Sequence, residues 1–215
     1  MTARRTTRPP KKQTISEWAD KHFRLTGESS SLEGPWTTLP YQREPMDLIG
    51  DPSVSRITFM KSSRVGFTKA CVVAPIMYFI AHDPRSMAVA QASDEDAKGF
   101  VKDEINPLFD QLEELDGLVS TSQRDGSNTL SHKQFPGGTL HVGGAHSSKI
   151  FRRITVRAFF LDEIDAYPVS TAGEGDTRKL AGMRMQDAPD PILVEGSSPK
   201  FKGSSRIEDS FLGSD

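Results

Sequence analysis

The stretch RITFMKSSRVGFTK, residues 56–69, decides the fold. Its first five residues predict a buried strand, and the apolar residues 70–82 predict a helix. A basic turn, residues 61–69, therefore joins a strand to a helix. Such a turn can direct backbone N–H groups at an anion, and the positive end of the helix dipole favours the same anion. The stretch is a candidate phosphate-binding loop.

This loop matches the usual phosphate-loop motif only in part. The motif is Gly, four residues, Gly, Lys and then Ser or Thr. Gly66 and Thr68 hold the second-glycine and hydroxyl positions, but Lys61 replaces the first glycine and Phe67 replaces the lysine. A lysine on the other arm could still reach the β- and γ-phosphates, and Thr68 could ligate Mg²⁺. The alternative is a strand-to-helix turn that happens to be basic.

A second predicted strand ends in two acids. The apolar run 158–161 is followed directly by Asp162 and Glu163. In phosphate-loop enzymes the first acid holds Mg²⁺, usually through water. The second can accept a proton from the attacking water and so acts as general base. The preceding apolar run favours this interpretation over a solvated pair of loop acids.

The remaining pattern alternates strands with helices. A capping box at Thr14 and Glu17 begins a helix, and a β-hairpin is predicted over residues 128–142. Further helices are predicted at 41–50, 94–115 and 176–186, and further strands at 86–90, 154–161 and 191–195. The fold class is therefore α/β, a phosphate-loop NTPase of the RecA/ASCE type. It has a mostly parallel sheet, helices on both faces and a hairpin insertion. Ligands of such sheets bind at the carboxyl ends of the strands.

Composition sets the outer limits of function. The 215 residues carry a net charge of −2, so overall charge does not indicate a nucleic-acid binder. A single cysteine, Cys71, excludes an internal disulfide framework and a cysteine metal cluster. No apolar run is long enough to span a membrane, and the N-terminus lacks the apolar stretch expected of a signal peptide. We expect a reducing cytoplasm.

Three segments are predicted along the chain. Residues 1–13 form a disordered basic tail, either solvated or in contact with DNA phosphate or an acidic partner. Residues 14–55 form a helical segment that contains Tyr41 and Gln42. The Tyr41 ring can stack on adenine and the Gln42 amide can bind the base edge, although a helix start with a buried tyrosine is an equal alternative. Residues 56–215 form the ATPase core.

The segment Gly196-Ser-Ser-Pro199 follows the last predicted strand. Small hydroxylated residues at a strand end can sense the γ-phosphate and move with it. The alternative is a simple turn, which Gly196 and Pro199 would explain without any function.

These residues resemble a known family, the large terminase subunit of tailed bacteriophages, in its lambda-like group. The matching segments are Ile15–Asp20 (ISEWAD), the 61–69 loop, Leu161–Glu163 and the Gly196 segment. The loop is the most specific of them. The family's loop is similar to Lys-Ser-Ala-Arg-Val-Gly-Tyr-Ser-Lys, with its lysine displaced in the same way. The resemblance covers nearly the whole chain after the basic tail.

The resemblance implies a role for each site residue. Lys61 would bind phosphate, Thr68 and Asp162 would hold Mg²⁺, and Glu163 would activate water, with Arg64 as a further catalytic candidate. The ATP-binding residues would be the adenine pair, the loop and two coupling serines: Tyr41, Gln42, Lys61, Ser62, Ser63, Arg64, Val65, Gly66, Phe67, Thr68, Lys69, Ser197 and Ser198.

The resemblance also implies a biological role. The family's ATPase translocates double-stranded DNA into a procapsid in the host cytoplasm, and a C-terminal nuclease domain cuts the concatemer. Its partners are a small terminase subunit and the portal, and the working ATPase is expected to be a homo-oligomer without a membrane partner. No nuclease acid cluster appears before Asp215, so nuclease activity is not expected from this chain alone.

Two points stay open at this stage. The arginine that stabilises transition-state charge is not identified by the sequence; the candidates are Arg64, Arg178, Arg184 and Arg206. Two alternative functions also remain. One is a helicase-like ATPase fragment, and the other is a non-catalytic DNA-binding or assembly module with a degenerate phosphate loop.

Overall fold

The computed structural model describes residues 13–27, 33–119, 126–171, 173 and 175–213. The predicted basic tail therefore lies outside the described residues, except for residue 13. In the described ranges, no helix is both long enough and apolar enough to cross a membrane.

The central feature is a six-stranded sheet. Its spatial order is β3 (Arg56–Met60), β8 (Ile192–Ser197), β7 (Ala158–Asp162), β4 (Met87–Gln91), β6 (Gly138–Gly144) and β5 (His132–Phe135). The first five strands are parallel, and β5 pairs antiparallel with β6 as the predicted hairpin. A separate two-stranded pair joins β1 (Arg24–Leu25) to β2 (Gly34–Pro35). The predicted mostly parallel sheet with a hairpin insertion is confirmed.

Helices cover both faces of this sheet. The described helices are α1 (Ile15–His22), α2 (Pro40–Ile49), α3 (Ala74–His82), α4 (Asp94–Phe100), α5 (Asn106–Gln111), α6 (Thr177–Met183) and α7 (Arg206–Leu212). A wide π-helical turn, Thr68–Val73, leads into α3, so one continuous helical segment follows the phosphate loop. The predicted capping box of α1 is present, because Thr14 accepts from the Glu17 amide and Glu17 reaches back to the Thr14 amide.

The sheet separates two apolar clusters. Successive side chains of a strand point to opposite faces, so Phe160 packs under α3 while Phe159 packs under α6 and α7. The N-terminal segment belongs to the first cluster, because Trp18 of α1 and Met46 of α2 are fully buried in it. Helices α1 and α2 therefore pack directly on the core of the sheet.

The structure corrects several details of the sequence prediction. The sequence predicts a buried β3, but β3 is the edge strand of the sheet, and Arg56 and Met60 at its ends are exposed. The helix predicted over 94–115 is interrupted by a π-helical turn at Val101–Ile105 and ends at Gln111, before a short 3₁₀ turn. The sequence pattern does not predict α7 at all.

Candidate nucleotide-binding site

The phosphate loop and the acidic strand end meet at one point. The parallel register aligns Met60 of β3 with Ser197 of β8, and Gly196 with Asp162 of β7. The carboxyl ends of these three strands therefore lie side by side. The Thr68 hydroxyl donates a hydrogen bond of 2.8 Å to Asp162 Oδ2. The two motifs predicted separately from the sequence thus share one site.

Asp162 is the buried member of the acid pair, with only 3% of its surface exposed. Burial raises the pKa of Asp162 to about 6; the hydrogen bond from Thr68 opposes that rise, and the neighbouring Glu163 carboxylate adds to it. Its second oxygen, Oδ1, is buried and makes no hydrogen bond of normal geometry to the described residues, although the side-chain amide of Gln91 on β4 approaches this carboxylate and lowers its pKa. A buried carboxylate oxygen without a donor is unfavourable unless something else binds it.

Glu163 is held in a different environment. Its backbone has φ +56°, in the left-handed region that non-glycine residues rarely occupy. Its carboxylate pairs through Oε1 with the Lys61 ammonium. The Lys61 side chain is 5% exposed, whereas that of Glu163 is 44% exposed. The displaced lysine and the predicted general base are therefore in direct contact at the mouth of the site.

Phe67 occupies the lysine position of the usual motif, and its aromatic ring is buried in the core. Phe67 is 3% exposed, and its ring stacks on Phe59 with ring centroids 5.4 Å apart. A Cβ atom at Gly196 would lie 2.2 Å from this ring, so only glycine fits there. The Lys61 ammonium lies 5.5 Å from the ring centroid, within range of a cation–π contact. Phe67 therefore packs against the Lys61 ammonium through the face of its ring.

The remaining loop residues differ in exposure and in their contacts. Ser62, Ser63 and Arg64 are exposed, and both Arg64 (φ +62°) and Gly66 (φ +76°) take left-handed backbone conformations that curl the loop. Lys69, at the other end of the loop, is partly buried, and its ammonium pairs with Glu104. The Lys69 charge is thus neutralised by a helix outside the loop.

Tyr41 and Gln42 both contact the loop itself. The Tyr41 hydroxyl donates 3.2 Å, and Gln42 Nε2 donates 3.0 Å, to the Val65 carbonyl oxygen. Gln42 Oε1 accepts from the Leu39 amide at 3.0 Å. Gln42 is buried, whereas Tyr41 is 53% exposed. The exposed Tyr41 ring is therefore free for stacking, while Gln42 joins α2 to the loop.

Ser197 and Ser198 contact the predicted base. The Ser197 hydroxyl lies 3.2 Å from Glu163 Oε2, to which it can donate, and the Ser198 amide donates to the same oxygen at 3.4 Å. Ser197 is fully buried at the end of β8. The predicted coupling serines thus lie directly beside Glu163.

With this geometry established, comparison with known proteins identifies the family. The family model for the ATPase domain of the phage terminase large subunit gpA matches residues 30–215. The chain belongs to this family. The resemblance proposed from the sequence is thereby confirmed.

Individual terminases agree with this assignment. The chain is 32% identical over 201 residues to the terminase large subunit of Escherichia phage lambda, and 34% identical over 200 residues to that of Enterobacteria phage P21. These matches cover 93% and 91% of this chain but only 31% and 30% of the relatives. The chain spans about a third of the length of these relatives.

Solved terminase structures share the fold. Two structures of the large terminase ATPase domain of Thermus phage P74-26, one of them a point mutant, align with TM-scores of 0.56 and 0.58. Each alignment covers 82% of this chain and 70% of the other, at 15–16% identity. At this identity the similarity shows the fold alone, and that fold is the predicted α/β class.

The four arginine candidates of this terminase domain are dispersed. Arg64 lies in the loop itself. Arg178 pairs with Asp176 and donates 2.5 Å to the Ser210 hydroxyl, so it holds α6 to α7. Arg206 begins α7, and Arg184 directly follows α6. Among the four, only Arg64 is part of the loop.

Sequence reasoning missed two polar residues at the edge of this site. Gln91 ends β4, and by register it lies beside Asp162. Asp165 lies two residues after Glu163, and its amide donates 3.2 Å to the Ser197 hydroxyl. A signal existed for Gln91, because a polar residue ending an otherwise apolar strand points to the ligand edge of a parallel sheet.

The donor set of this terminase site fits Mg²⁺. Mg²⁺ prefers oxygen ligands and is usually bound by one or two carboxylates together with substrate phosphates. Asp162 and Thr68 supply a carboxylate and a hydroxyl, and Oδ1 of Asp162, which is buried and makes no hydrogen bond of normal geometry to the described residues, is suited to a metal or its bound water. Among the described residues, no cluster of three or more His, Cys, Asp or Glu residues could hold a metal without a substrate.

Proposed function

We propose that this chain binds ATP with Mg²⁺ at the 61–69 loop and hydrolyses it to drive double-stranded DNA into a procapsid. The observation that carries the proposal is the convergence at the carboxyl ends of β3, β8 and β7. There, Thr68 contacts Asp162, and Lys61 contacts Glu163 one residue further along the chain. Phosphoryl transfer requires a cation for the phosphates, ligands for a metal ion and a base for the attacking water. The site would provide all three.

Lys61 supplies the positive charge for the phosphates. Its ammonium lies over the Phe67 ring in a largely buried position, so its charge acts in a medium of low dielectric constant. ATP binding would offer phosphate oxygens in place of the Glu163 carboxylate. Lys61 would then leave Glu163 and pair with the β- and γ-phosphates.

Asp162 and Thr68 would hold the metal, which neutralises charge on the transferred phosphoryl group when bound. Glu163, released from Lys61, would accept a proton from the attacking water. The water oxygen forms a bond to the γ-phosphorus while the bond to the bridging oxygen of ADP breaks. The Ser198 amide would keep Glu163 oriented through its hydrogen bond to Oε2, and the Ser197 hydroxyl can donate to the same oxygen.

Tyr41 is the residue best placed to bind the adenine base. Its ring is half-exposed beside the loop. Gln42 has one amide hydrogen engaged by the Val65 carbonyl and a second still available, so it can contact the base edge while it orders the loop.

Membership in the terminase family supports the wider role. We infer that the working protein translocates double-stranded DNA in the host cytoplasm as a homo-oligomer, together with a small terminase subunit and the portal of the procapsid. The lambda and P21 relatives are named terminase large subunits, and this chain matches about a third of each.

The experiment that tests the proposal is ATP turnover by Glu163→Gln. Removal of a general base lowers turnover by about 10²- to 10⁴-fold. We expect kcat to fall by at least about 100-fold on this scale, with nucleotide affinity retained, in a preparation whose parent hydrolyses ATP. Turnover close to that of the parent would show that Glu163 is not the base.

A further inference from the structure

Asp165 occupies a junction that the proposed chemistry does not use. It lies in the short 3₁₀ turn Ile164–Ala166, which follows Glu163 directly. Its amide contacts Ser197, and its carboxylate contacts the segment that leads into α7. One residue thus connects three parts of the fold: the acid pair, the end of β8 and the last described helix.

The Asp165 carboxylate is fully engaged at the start of α7. Oδ2 accepts 2.6 Å from the Ser205 hydroxyl and 3.1 Å from the Lys200 amide, and Oδ1 accepts 2.9 Å from the Ile207 amide. Burial alone would raise the pKa of Asp165, but these hydrogen bonds outweigh it and lower the pKa. The carboxylate is therefore ionised, and hydrogen bonds to an ionised acceptor are the strong ones.

Ser205 extends this contact into the helix. It is the N-cap residue of α7, and its hydroxyl accepts from the Glu208 amide at 3.4 Å. Further along α7, Ile207 is fully buried against the sheet and Ser210 accepts 3.1 Å from Arg56 of β3. A shift of Asp165 would therefore move the beginning of a helix that packs on the strand preceding the phosphate loop.

Ser197 provides the other half of the connection. Its hydroxyl has one proton and two acceptors within reach: Glu163 Oε2 at 3.2 Å and the Ser198 carbonyl at 3.3 Å. It can therefore donate to Glu163 in one state and to Ser198 in the other. In the structure it also accepts from the Asp165 amide. The Ser197 hydroxyl thus links Glu163 to Asp165 and has two alternative acceptors for its proton.

We propose that Asp165 is a positioning residue that couples the state of Glu163 to the position of α7, through the chain Glu163–Ser197–Asp165–Ser205. The inference rests on the proposed function, because ATP binding is the event that separates Lys61 from Glu163. Nucleotide would change the Glu163 contact, and the Ser197 hydroxyl and the 164–166 turn would pass that change to the first turn of α7. Coupling of this kind needs an element that has two arrangements, with each of the two coupled sites favouring one of them. We assign this role to the Ser197 hydroxyl, which can donate either to Glu163 or to the Ser198 carbonyl.

The test is amide hydrogen exchange of α7, residues 206–212, with and without Mg²⁺ and a non-hydrolysable ATP analogue. In the parent we expect nucleotide to change α7 exchange by about fivefold or more, in the usual range of coupling between sites. In Asp165→Asn we expect that change to fall below about twofold, while analogue affinity stays within about twofold of the parent. We expect kcat to fall about tenfold, because misplacing a reacting group by about 1 Å can cost up to about 100-fold. Loss of the α7 response together with the loss in kcat is the mark of a positioning role.

A matched control separates coupling from simple loss of stability. Asp47 also bridges two elements, because it accepts from the Ser16 amide at 2.9 Å and the Ser16 hydroxyl at 3.0 Å. Asp47→Asn should lower the melting temperature while keeping both kcat and the α7 response. If Asp165→Asn does not fold, Ser205→Ala removes one partner of Asp165 and should reduce the α7 response.

The outcomes separate this inference from the proposed function. A parent that binds nucleotide without any change in α7 exchange overturns the coupling and leaves the proposed function intact. Asp165→Asn with the full α7 response, or Asp47→Asn with the same losses as Asp165→Asn, also overturns it. A parent that binds no nucleotide contradicts the proposed function and the coupling with it.

Discussion

The two ends of the phosphate loop carry lysines in nearly equivalent chemical settings. Lys61 pairs with Glu163 and Lys69 pairs with Glu104, and both lysine side chains are largely buried. Their partners differ in location. Glu163 follows the metal-ligand candidate Asp162, whereas Glu104 lies in the π-helical turn after α4. The comparison indicates that the ion-pair partner, more than the position in the loop, is the feature by which we propose Lys61 as the site lysine and Lys69 as the structural one.

The aromatic ring between them reinforces the difference. Phe67 fills the position that carries lysine in the usual motif and packs against Phe59 and Gly196. It supports only the Lys61 end of the loop, through the cation–π contact. A buried aromatic ring therefore fills the usual lysine position, and the lysine at the first end of the loop contacts Glu163 instead.

The largest expected effect belongs to Lys61. Removing a preorganised charge from the site of phosphoryl transfer costs about 10²- to 10³-fold in turnover. We expect Lys61→Ala to lose ATP turnover on this scale and to weaken nucleotide binding. Steady-state ATPase assays and titration calorimetry would measure both. An unchanged nucleotide affinity would refute the displaced-lysine hypothesis.

Placing lysine at its usual motif position, by Phe67→Lys, should lower the stability of the protein. Phe67→Lys places an ammonium in a position that is 3% exposed and directly beside Lys61. We expect a loss of about 3 kcal/mol or more in the free energy of unfolding, because a buried charge without a partner is strongly destabilising. Phe67→Leu, which stays apolar, should cost less. A Phe67→Lys protein as stable as the parent in thermal unfolding would show that the second end of the loop can also accept the lysine.

The buried Asp162 should limit stability in a pH-dependent way. Its pKa is about 6 when folded and near 3.8 when unfolded, so the folded state loses relative stability as pH rises through this window. Asp162→Asn should therefore be more stable than the parent by about 1–3 kcal/mol at about pH 8, with chelator present, and by less at about pH 5. Thermal unfolding at both pH values would measure the difference. A variant no more stable than the parent at the higher pH would contradict this account.

The smallest effect is expected for Lys69. Lys69→Ala removes one partner of a partly exposed ion pair, so we expect a stability loss of about 1–2 kcal/mol, between the values for exposed and for fully buried pairs. Turnover should stay within about threefold of the parent, since we expect no contribution of this charge to catalysis. A loss of turnover as large as that of Lys61→Ala would remove the distinction between the two lysines.

Much of this arrangement could be predicted from local sequence. The apolar runs 86–90 and 158–161 specify parallel strands that are buried on both faces, and polar residues placed after them must lie at one edge of the sheet. Residues 61–69 follow the predicted strand 56–60 in the same way, so this reasoning predicts that Lys61, Thr68, Asp162 and Glu163 lie close together, although Gln91, which follows the run 86–90, is not among the predicted site residues. The displaced lysine is recognisable because the residues around it match a family pattern.

Other features depend on long-range contacts that local patterns do not encode. The exposure of β3 follows from its position at the sheet edge, which only the strand order reveals. The role of Gln42 in ordering the loop depends on a contact 23 residues away in sequence. Asp165 meets Ser205 across 40 residues. These polar contacts carry no periodic signal, so the sequence predicts neither them nor the helix start that Ser205 caps.

The central claim is that the loop and the Asp162 strand end bind a single magnesium nucleotide. The most direct measurement is ATP affinity of Glu163→Gln, which should bind ATP without consuming it, in Mg²⁺ and in chelator. We predict at least about tenfold tighter binding with Mg²⁺, equivalent to about 1.4 kcal/mol, and loss of that difference when Asp162→Asn is added. Equal affinity in Mg²⁺ and chelator, or a magnesium effect that survives Asp162→Asn, would contradict the claim.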